Sequence, residues 1–188
     1  MGRPREIIDC GGFTLRRWRG EEDFAAALVL FEESLEHLRP WVTWVTGNSE
    51  EDTRGFLARS WVRWEEGEVF NYAVEAGSGA LLGMCQAYCG ADPRGRGLGY
   101  WLHPAATGRG IATRAAAALT AELFTLPDVD FVEIVHDLAN TASAAVPRRL
   151  GFAEIHRGPS TPPVPPAGTG IAVVWRLERP AAGAARPG

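Results

Sequence analysis

The stretch Tyr100-Trp101-Leu102-His103-Pro104-Ala105-Ala106-Thr107-Gly108-Arg109-Gly110-Ile111-Ala112-Thr113 reads as a strand that ends, a glycine-bearing turn and the start of a long helix. A turn of this kind gathers unpaired backbone N–H groups at the positive end of a helix dipole, which makes an anion site suited to a pyrophosphate. Gly108 and Gly110 matter because a side chain at either position would block the phosphates. An ordinary β-α turn is the plainer alternative, since glycine is common wherever the chain turns tightly. A P-loop is excluded by the missing Gly-Lys-Ser/Thr, and a Rossmann unit by the hairpins that precede the stretch.

Just upstream, Asp92-Pro93-Arg94-Gly95-Arg96-Gly97 reads as a connector into a strand at 98–102. Before it, Phe70, Tyr72, Val74 and Ala76 alternate along one face, Ser78-Gly79 turns the chain, and 80–89 returns as the second arm of a hairpin. Downstream, Ile111, Ala115, Leu119 and Leu123 form an i,i+4 row on an alanine-rich helix that ends before Pro127. A strand at 131–135, a short helix capped by Asn140 and two strands at 152–156 and 170–177 follow, the last two separated by a proline-rich loop at 159–168. Toward the N-terminus, a strand with Phe13, Leu15 and Trp18 precedes a helix with Phe24, Leu28, Phe31, Leu35 and Leu38, stopped by Pro40. A second helix runs from Ser49, an N-cap with Asp52 three residues on, to about residue 67, with Leu57, Trp61 and Trp64 on its core face. The order describes one mixed domain of helices and strands with antiparallel hairpins at its beginning and end.

Composition limits the alternatives. A chain of 188 residues suits one domain, and 46% hydrophobic with 22% charged residues excludes disorder of the whole. The net charge of −4 argues against a nucleic-acid partner held by a broad basic surface. All 19 cationic side chains are arginine, which is read as a coding bias. Cys10, Cys85 and Cys89 are odd in number and lack a metal-type spacing with histidine, so neither a disulfide framework nor a metal site is expected. Cys85 and Cys89 read as small core residues of one strand face. Apolar stretches such as 24–31 fall far short of the roughly 18 residues a membrane span requires. The expectation is a cytoplasmic protein with no membrane partner, monomeric or homodimeric.

The sequence resembles the GNAT superfamily of acyl-CoA N-acyltransferases, within it the RimJ/RimL branch related to ribosomal-protein N-terminal acetyltransferases. Three pieces carry the resemblance: residues 38–44, the strand-turn-helix at 99–118, and Asn140-Thr141-Ala142-Ser143-Ala144-Ala145-Val146-Pro147-Arg148-Arg149-Leu150-Gly151-Phe152. The family signature, Arg or Gln followed by two spaced small residues, maps onto Thr107, Gly110 and Ala112, and departs at Thr107. The resemblance implies an α+β fold: a mostly antiparallel sheet of six or seven strands flanked by four helices, with a parallel pair that splays apart at the acyl-CoA site. It divides the chain into an N-terminal extension at 1–12, the acetyltransferase domain at 13–178 and a disordered tail at 179–188.

Function follows from the same resemblance as an expectation: transfer of an acetyl group from acetyl-CoA to a primary amine, a protein or peptide N-terminus, by direct attack in a ternary complex. A small-molecule amine acceptor and a non-catalytic acyl-CoA sensor are the alternatives. Backbone groups of Thr107, Gly108, Arg109, Gly110, Ile111, Ala112 and Thr113 would hold the pyrophosphate. Leu102 and His103 would hold the pantetheine and polarise the thioester, Asn140 would bond the pantetheine, and Arg148 or Arg149 would reach a phosphate. Many relatives place an acidic tyrosine where this chain has Pro147, so the acid role passes to Ser143, one turn earlier; Pro147 is also expected to kink the helix and leave the Ser143 carbonyl free. Relatives with a glutamate base carry it where this chain has Gly97. His136 is the substitute, with Asp137, Glu133 or a water relay as alternatives. Trp41 and Trp44 either line the acceptor site or cover the core from their loop, and Glu32, Glu33 and Glu36 either attract a cationic acceptor or form a solvated helix face.

Overall fold

The computed structural model describes residues 2–43 and 49–181. Eight strands form one sheet: β1 (Ile7–Asp9), β2 (Phe13–Arg17), β3 (Val69–Ala76), β4 (Leu81–Cys89), β5 (Gly95–Leu102), β6 (Phe131–Asp137), β7 (Ala153–Pro159) and β8 (Ile171–Glu178). Four helices accompany them: α1 (Phe24–Leu38), α2 (Glu50–Glu66), α3 (Ile111–Leu123) and α4 (Thr141–Arg149). The strand order is β1-β2-β3-β4-β5-β6-β8-β7. Of these neighbours only β5 and β6 run parallel.

The additional strand is β1, inside the stretch expected to be an extension. It pairs with β2 through Ile7↔Arg16 to Asp9↔Thr14 and buries Ile8. Arg5 ties this segment down: its backbone N–H and its guanidinium donate to Glu122 on α3, and its carbonyl accepts from the Tyr72 hydroxyl. The side chain of Arg179, placed by the sequence in the tail, donates to the Val129 carbonyl at 2.9 Å.

Alternation puts the two sheet faces into two cores. On one, Tyr72, Val74, Cys85, Ala87, Leu98 and Ile134 meet Ile111, Ala115 and Leu119 of α3 and Val146 of α4. On the other, Ala73, Met84 and Trp101 meet Ala27, Leu30 and Leu57 of α1 and α2. Trp64 is buried as expected, but Trp61 is 52% exposed and lies under the Arg17 guanidinium. Cys85 is fully buried, whereas Cys89 is exposed at the strand end. The Ser49 cap forms a complete capping box with Asp52.

Strand β5 begins three residues earlier than the expected 98. Gly95 and Gly97 belong to the strand because each makes room for an aromatic ring: a Cβ at Gly95 would lie 2.3 Å from the Phe131 ring, and one at Gly97 2.2 Å from the Tyr88 ring. Parallel pairing of β5 with β6 then runs only from Gly95↔Phe131 to Leu98↔Ile134. Beyond it each strand follows its antiparallel partner, β5 keeping β4 as far as Leu102↔Gly83 and β6 keeping β8 as far as Asp137↔Ala172. The two C-terminal ends therefore part, and the sheet opens between them.

Candidate functional site

At the edge of this opening the chain leaves β5, makes a short 3-10 turn at Pro104–Ala106 and enters α3 through Gly108 and Gly110, both at φ +72°. Gly110 is the N-cap of α3 and carries no side-chain cap. The first main-chain bond across that turn is from the Arg114 N–H to the Gly110 carbonyl, so the N–H groups of Ile111, Ala112 and Thr113 lie ahead of the intrahelical ladder. No acidic side chain stands in the first turn to compete for them. A Cβ at Gly108 or Gly110 would meet nothing within 4 Å, so glycine is favoured there by the left-handed backbone, and its lack of a side chain keeps the space in front of the N–H groups open. Thr107, Gly108, Gly110, Ile111, Ala112 and Thr113 all line the cleft. The donors, the dipole and the clear approach fit a pyrophosphate. Arg109 is exposed beside this nest; Arg114 turns away, stacked over Phe13.

The strand end supplies the next groups. The His103 N–H donates to the Leu82 carbonyl at 2.8 Å, so it is spent within the sheet. By the alternation of a strand, the main-chain groups of Leu102 and Tyr100 point the opposite way, into the gap left by β6. Of the two residues expected to offer main-chain groups to the pantetheine, it is Leu102 whose groups face the gap, while the His103 N–H is bonded to β4. The His103 ring accepts from the Ala105 N–H through Nδ1 and pairs with Glu33 of α1 through Nε2 at 3.0 Å. Glu33 is therefore a tether for this turn.

Helix α4 forms the opposite wall. Asn140 is its N-cap: Oδ1 accepts from the Ser143 N–H at 3.0 Å, which leaves Nδ2 for a ligand. The helix continues through Pro147 to Arg149. Pro147 removes the usual donor to the Ser143 carbonyl, but that carbonyl is not free: the Tyr100 hydroxyl donates to it at 3.1 Å and lies 3.3 Å from Ser143 Oγ. Burial pushes the Tyr100 phenol up to about 12, with the Ser143 hydrogen bond acting in the other direction. Tyr100 stands in the motif that decides the fold, yet nothing local in the sequence marks its reach to α4. Arg148 lies over the Trp175 ring, 5.4 Å from its centroid, whereas Arg149 lines the cleft.

The substitute bases are all engaged. His136 is buried; its Nδ1 donates to the Asp137 carbonyl at 2.8 Å and its Nε2 accepts from Trp175 Nε1 at 2.9 Å. Neither nitrogen is left to take a proton while these bonds stand. Asp137 accepts from the N–H groups of Ala139, Thr169 and Gly170 and from the Thr169 hydroxyl. Burial acts to raise its pKa, but the N–H donors outweigh it and hold the carboxyl below its ordinary value. Glu133 is paired with Arg176 at 2.8 Å. The anchoring by Asp137 has a purpose the sequence did not disclose: it fixes the end of the β7–β8 loop, whose Ser160, Thr161, Pro163 and Pro165 close over the cleft.

On the other sheet face a chamber of about 800 Å³ lies under α2, with Phe56, Val69, Met84 and Trp101 as apolar walls and Asn71, Gln86 and Tyr88 as its polar floor. Asn71 is 7% exposed; its Nδ2 donates to Ser60, and its Oδ1 has no partner among the described residues. The chamber and the cleft share Val42, Gly99, Tyr100 and Trp101 in their walls, so they adjoin at the C-terminal end of β5. Trp41 lines the cleft side. Trp44, the other expected acceptor residue, lies outside the described residues. Among the described residues there is no group of three or more His, Cys, Asp or Glu placed to hold a metal, and no helix long and apolar enough to cross a membrane.

The sequence model of the family described as acetyltransferase (GNAT) domain matches residues 13–153. No curated protein matches the chain significantly. Among solved structures, the chain is similar to RimL, the ribosomal L7/L12 alpha-N-protein acetyltransferase, in complex with coenzyme A: 21% identity over 92% of this chain and 98% of that one, with a TM-score of 0.83. It is similar to the microcin C7 self-immunity acetyltransferase MccE in complex with acetyl-CoA and AMP, at 16% identity over 92% and 96% of the two chains and a TM-score of 0.83. The corresponding figures for Mycobacterium smegmatis RimJ in complex with CoA-disulfide are 23% identity, 93% and 85%, and 0.77. At these identities the structural likeness speaks for the fold.

Proposed function

The chain belongs to the GNAT acetyltransferase family, and from that premise we propose that it transfers the acetyl group of acetyl-CoA to the α-amine of a protein or peptide N-terminus within a ternary complex. The observation that carries this reading is the adjacency of two cavities at the C-terminal end of β5: a cleft suited to a phosphate-bearing arm, and a chamber with a polar floor. They meet at Gly99, Tyr100 and Trp101.

Acetyl-CoA, when bound, supplies the thioester whose acetyl group is transferred. The nest of residues 108–113 holds the pyrophosphate, Asn140 Nδ2 bonds the arm, and Leu102 offers its main chain to the thioester oxygen. An N–H aimed at the charge that develops there stabilises the tetrahedral oxyanion. In the chamber, the polar floor of Asn71, Gln86 and Tyr88 would receive the incoming amine. The nitrogen forms the new amide bond, the carbon–sulfur bond breaks, and the Ser143 hydroxyl donates to the departing sulfur. The nitrogen's proton leaves through water, because His136, Asp137 and Glu133 are committed to other partners. An α-amine, with its ordinary pKa near 8, is neutral often enough for this route.

The choice of an α-amine is supported by two structural neighbours, the L7/L12 alpha-N-protein acetyltransferase and the ribosomal-protein-S5-alanine acetyltransferase from Vibrio fischeri. The chamber's volume also admits a small amine. Thiol release from acetyl-CoA, followed with N-terminal peptides, polyamines and aminoglycosides, separates the two. Release driven by peptides is expected; release driven only by polyamines or aminoglycosides would transfer the proposal to small molecules.

A further inference from the structure

We propose that Tyr100 is a positioning residue for Ser143, and that Pro147 creates the place it occupies. The inference rests on the reading of Ser143 as donor to the departing sulfur. In an unbroken helix the Ser143 carbonyl would accept the N–H of residue 147; proline has none. The Tyr100 hydroxyl, projected from the central strand β5, takes the vacated position at 3.1 Å.

A phenol has one proton, and Tyr100 places it on that carbonyl. Its oxygen is then an acceptor, 3.3 Å from Ser143 Oγ. Helix serines commonly turn back onto a carbonyl three or four residues earlier, here at 139 or 140. Among the described residues Ser143 Oγ makes no such bond; its hydrogen-bonding neighbour there is Tyr100. The hydroxyl is thereby kept on the cleft side of α4. As negative charge gathers on sulfur, Ser143 exchanges a neutral phenol oxygen for a charged acceptor, which is the stronger bond. Tyr100 stays on the carbonyl and loses no proton. Buried and held protonated, it serves as a fixed rest for the Ser143 hydroxyl.

The test uses CoA itself, so it needs no acceptor. The thiol of protein-bound CoA is titrated by its thiolate ultraviolet absorbance in the wild type, Ser143→Ala, Tyr100→Phe and the double variant. Expected is ionisation at higher pH in both single variants, by similar amounts, with the double variant no worse than Ser143→Ala. With an acceptor in hand, kcat should fall on the order of tenfold in Tyr100→Phe while KM for acetyl-CoA stays near its wild-type value. Adding Pro147→Ala to Tyr100→Phe gives the carbonyl its N–H back but leaves Ser143 Oγ unguided, so no recovery is expected. Recovery would reduce Tyr100 to a structural cap and overturn the proposal. So would a wild-type titration in Tyr100→Phe alongside a shifted one in Ser143→Ala, or fully additive shifts. A wild-type titration in Ser143→Ala would instead remove the reading of Ser143 on which the proposal stands.

Discussion

On the proposed reading, Gly110 governs whether the cleft receives an anion. Its left-handed φ of +72° costs a non-glycine residue about 1 kcal/mol, and the space before it is open. Gly110→Glu should therefore fold, place a carboxylate against the nest and abolish acetyl-CoA binding in a calorimetric titration; Gly110→Ala should keep most of the affinity. Gly97 presents the opposite case. The Tyr88 ring fills the place its side chain would take, so Gly97→Ala should destabilise by about 1–3 kcal/mol in urea unfolding, and a carboxylate installed there would have no room. The nest was legible in the sequence because a turn and a helix start are local. The Tyr88 ring over Gly97 was not, because it lies nine residues away across a strand pair whose register the sequence does not specify. Ser143 and Asn140 were legible as neighbours on one helix start, while the phenol that reaches Ser143 comes from another element altogether.

Among the elements, the β7–β8 loop was read only as a proline-rich connection, and its role over the cleft depends on one carboxylate. Asp137 gathers the Thr169 and Gly170 N–H groups and so fixes the angle at which the loop returns to β8. Its pKa is depressed in the folded protein, so its contribution to stability is present above the ordinary carboxylate value near 3.9 and is lost as pH falls through the lower folded value. Asp137→Asn should cut the loop loose at neutral pH, seen as faster proteolysis within 160–168 and weaker acetyl-CoA binding. The variant should also lose less stability than the wild type between neutral pH and pH 3. Helix α2 illustrates what local chemistry does reveal: Ser49 and Asp52 marked its start correctly because a capping box is written in four consecutive residues. Strand β1 escaped because three residues carry too little alternation to register.

At the scale of the molecule, the parallel contact between β5 and β6 joins two otherwise antiparallel assemblies, β1 to β5 on one side and β6, β8 and β7 on the other. Four residue pairs, Gly95↔Phe131 to Leu98↔Ile134, make up that strand pairing. A ligand bound in the cleft beyond them would meet lining residues of both assemblies, Tyr100 to Leu102 on one side and Ile134 to Asp137 on the other. Saturating CoA should slow amide hydrogen exchange in β5 and β6 together and raise the melting temperature in proportion to the logarithm of ligand concentration. Protection confined to α3 would show that the ligand grips one side only. The short seam thus gives cofactor occupancy a bearing on cohesion as well as chemistry: a bound ligand is expected to tie together the two halves of a sheet whose strands are paired there at only four positions.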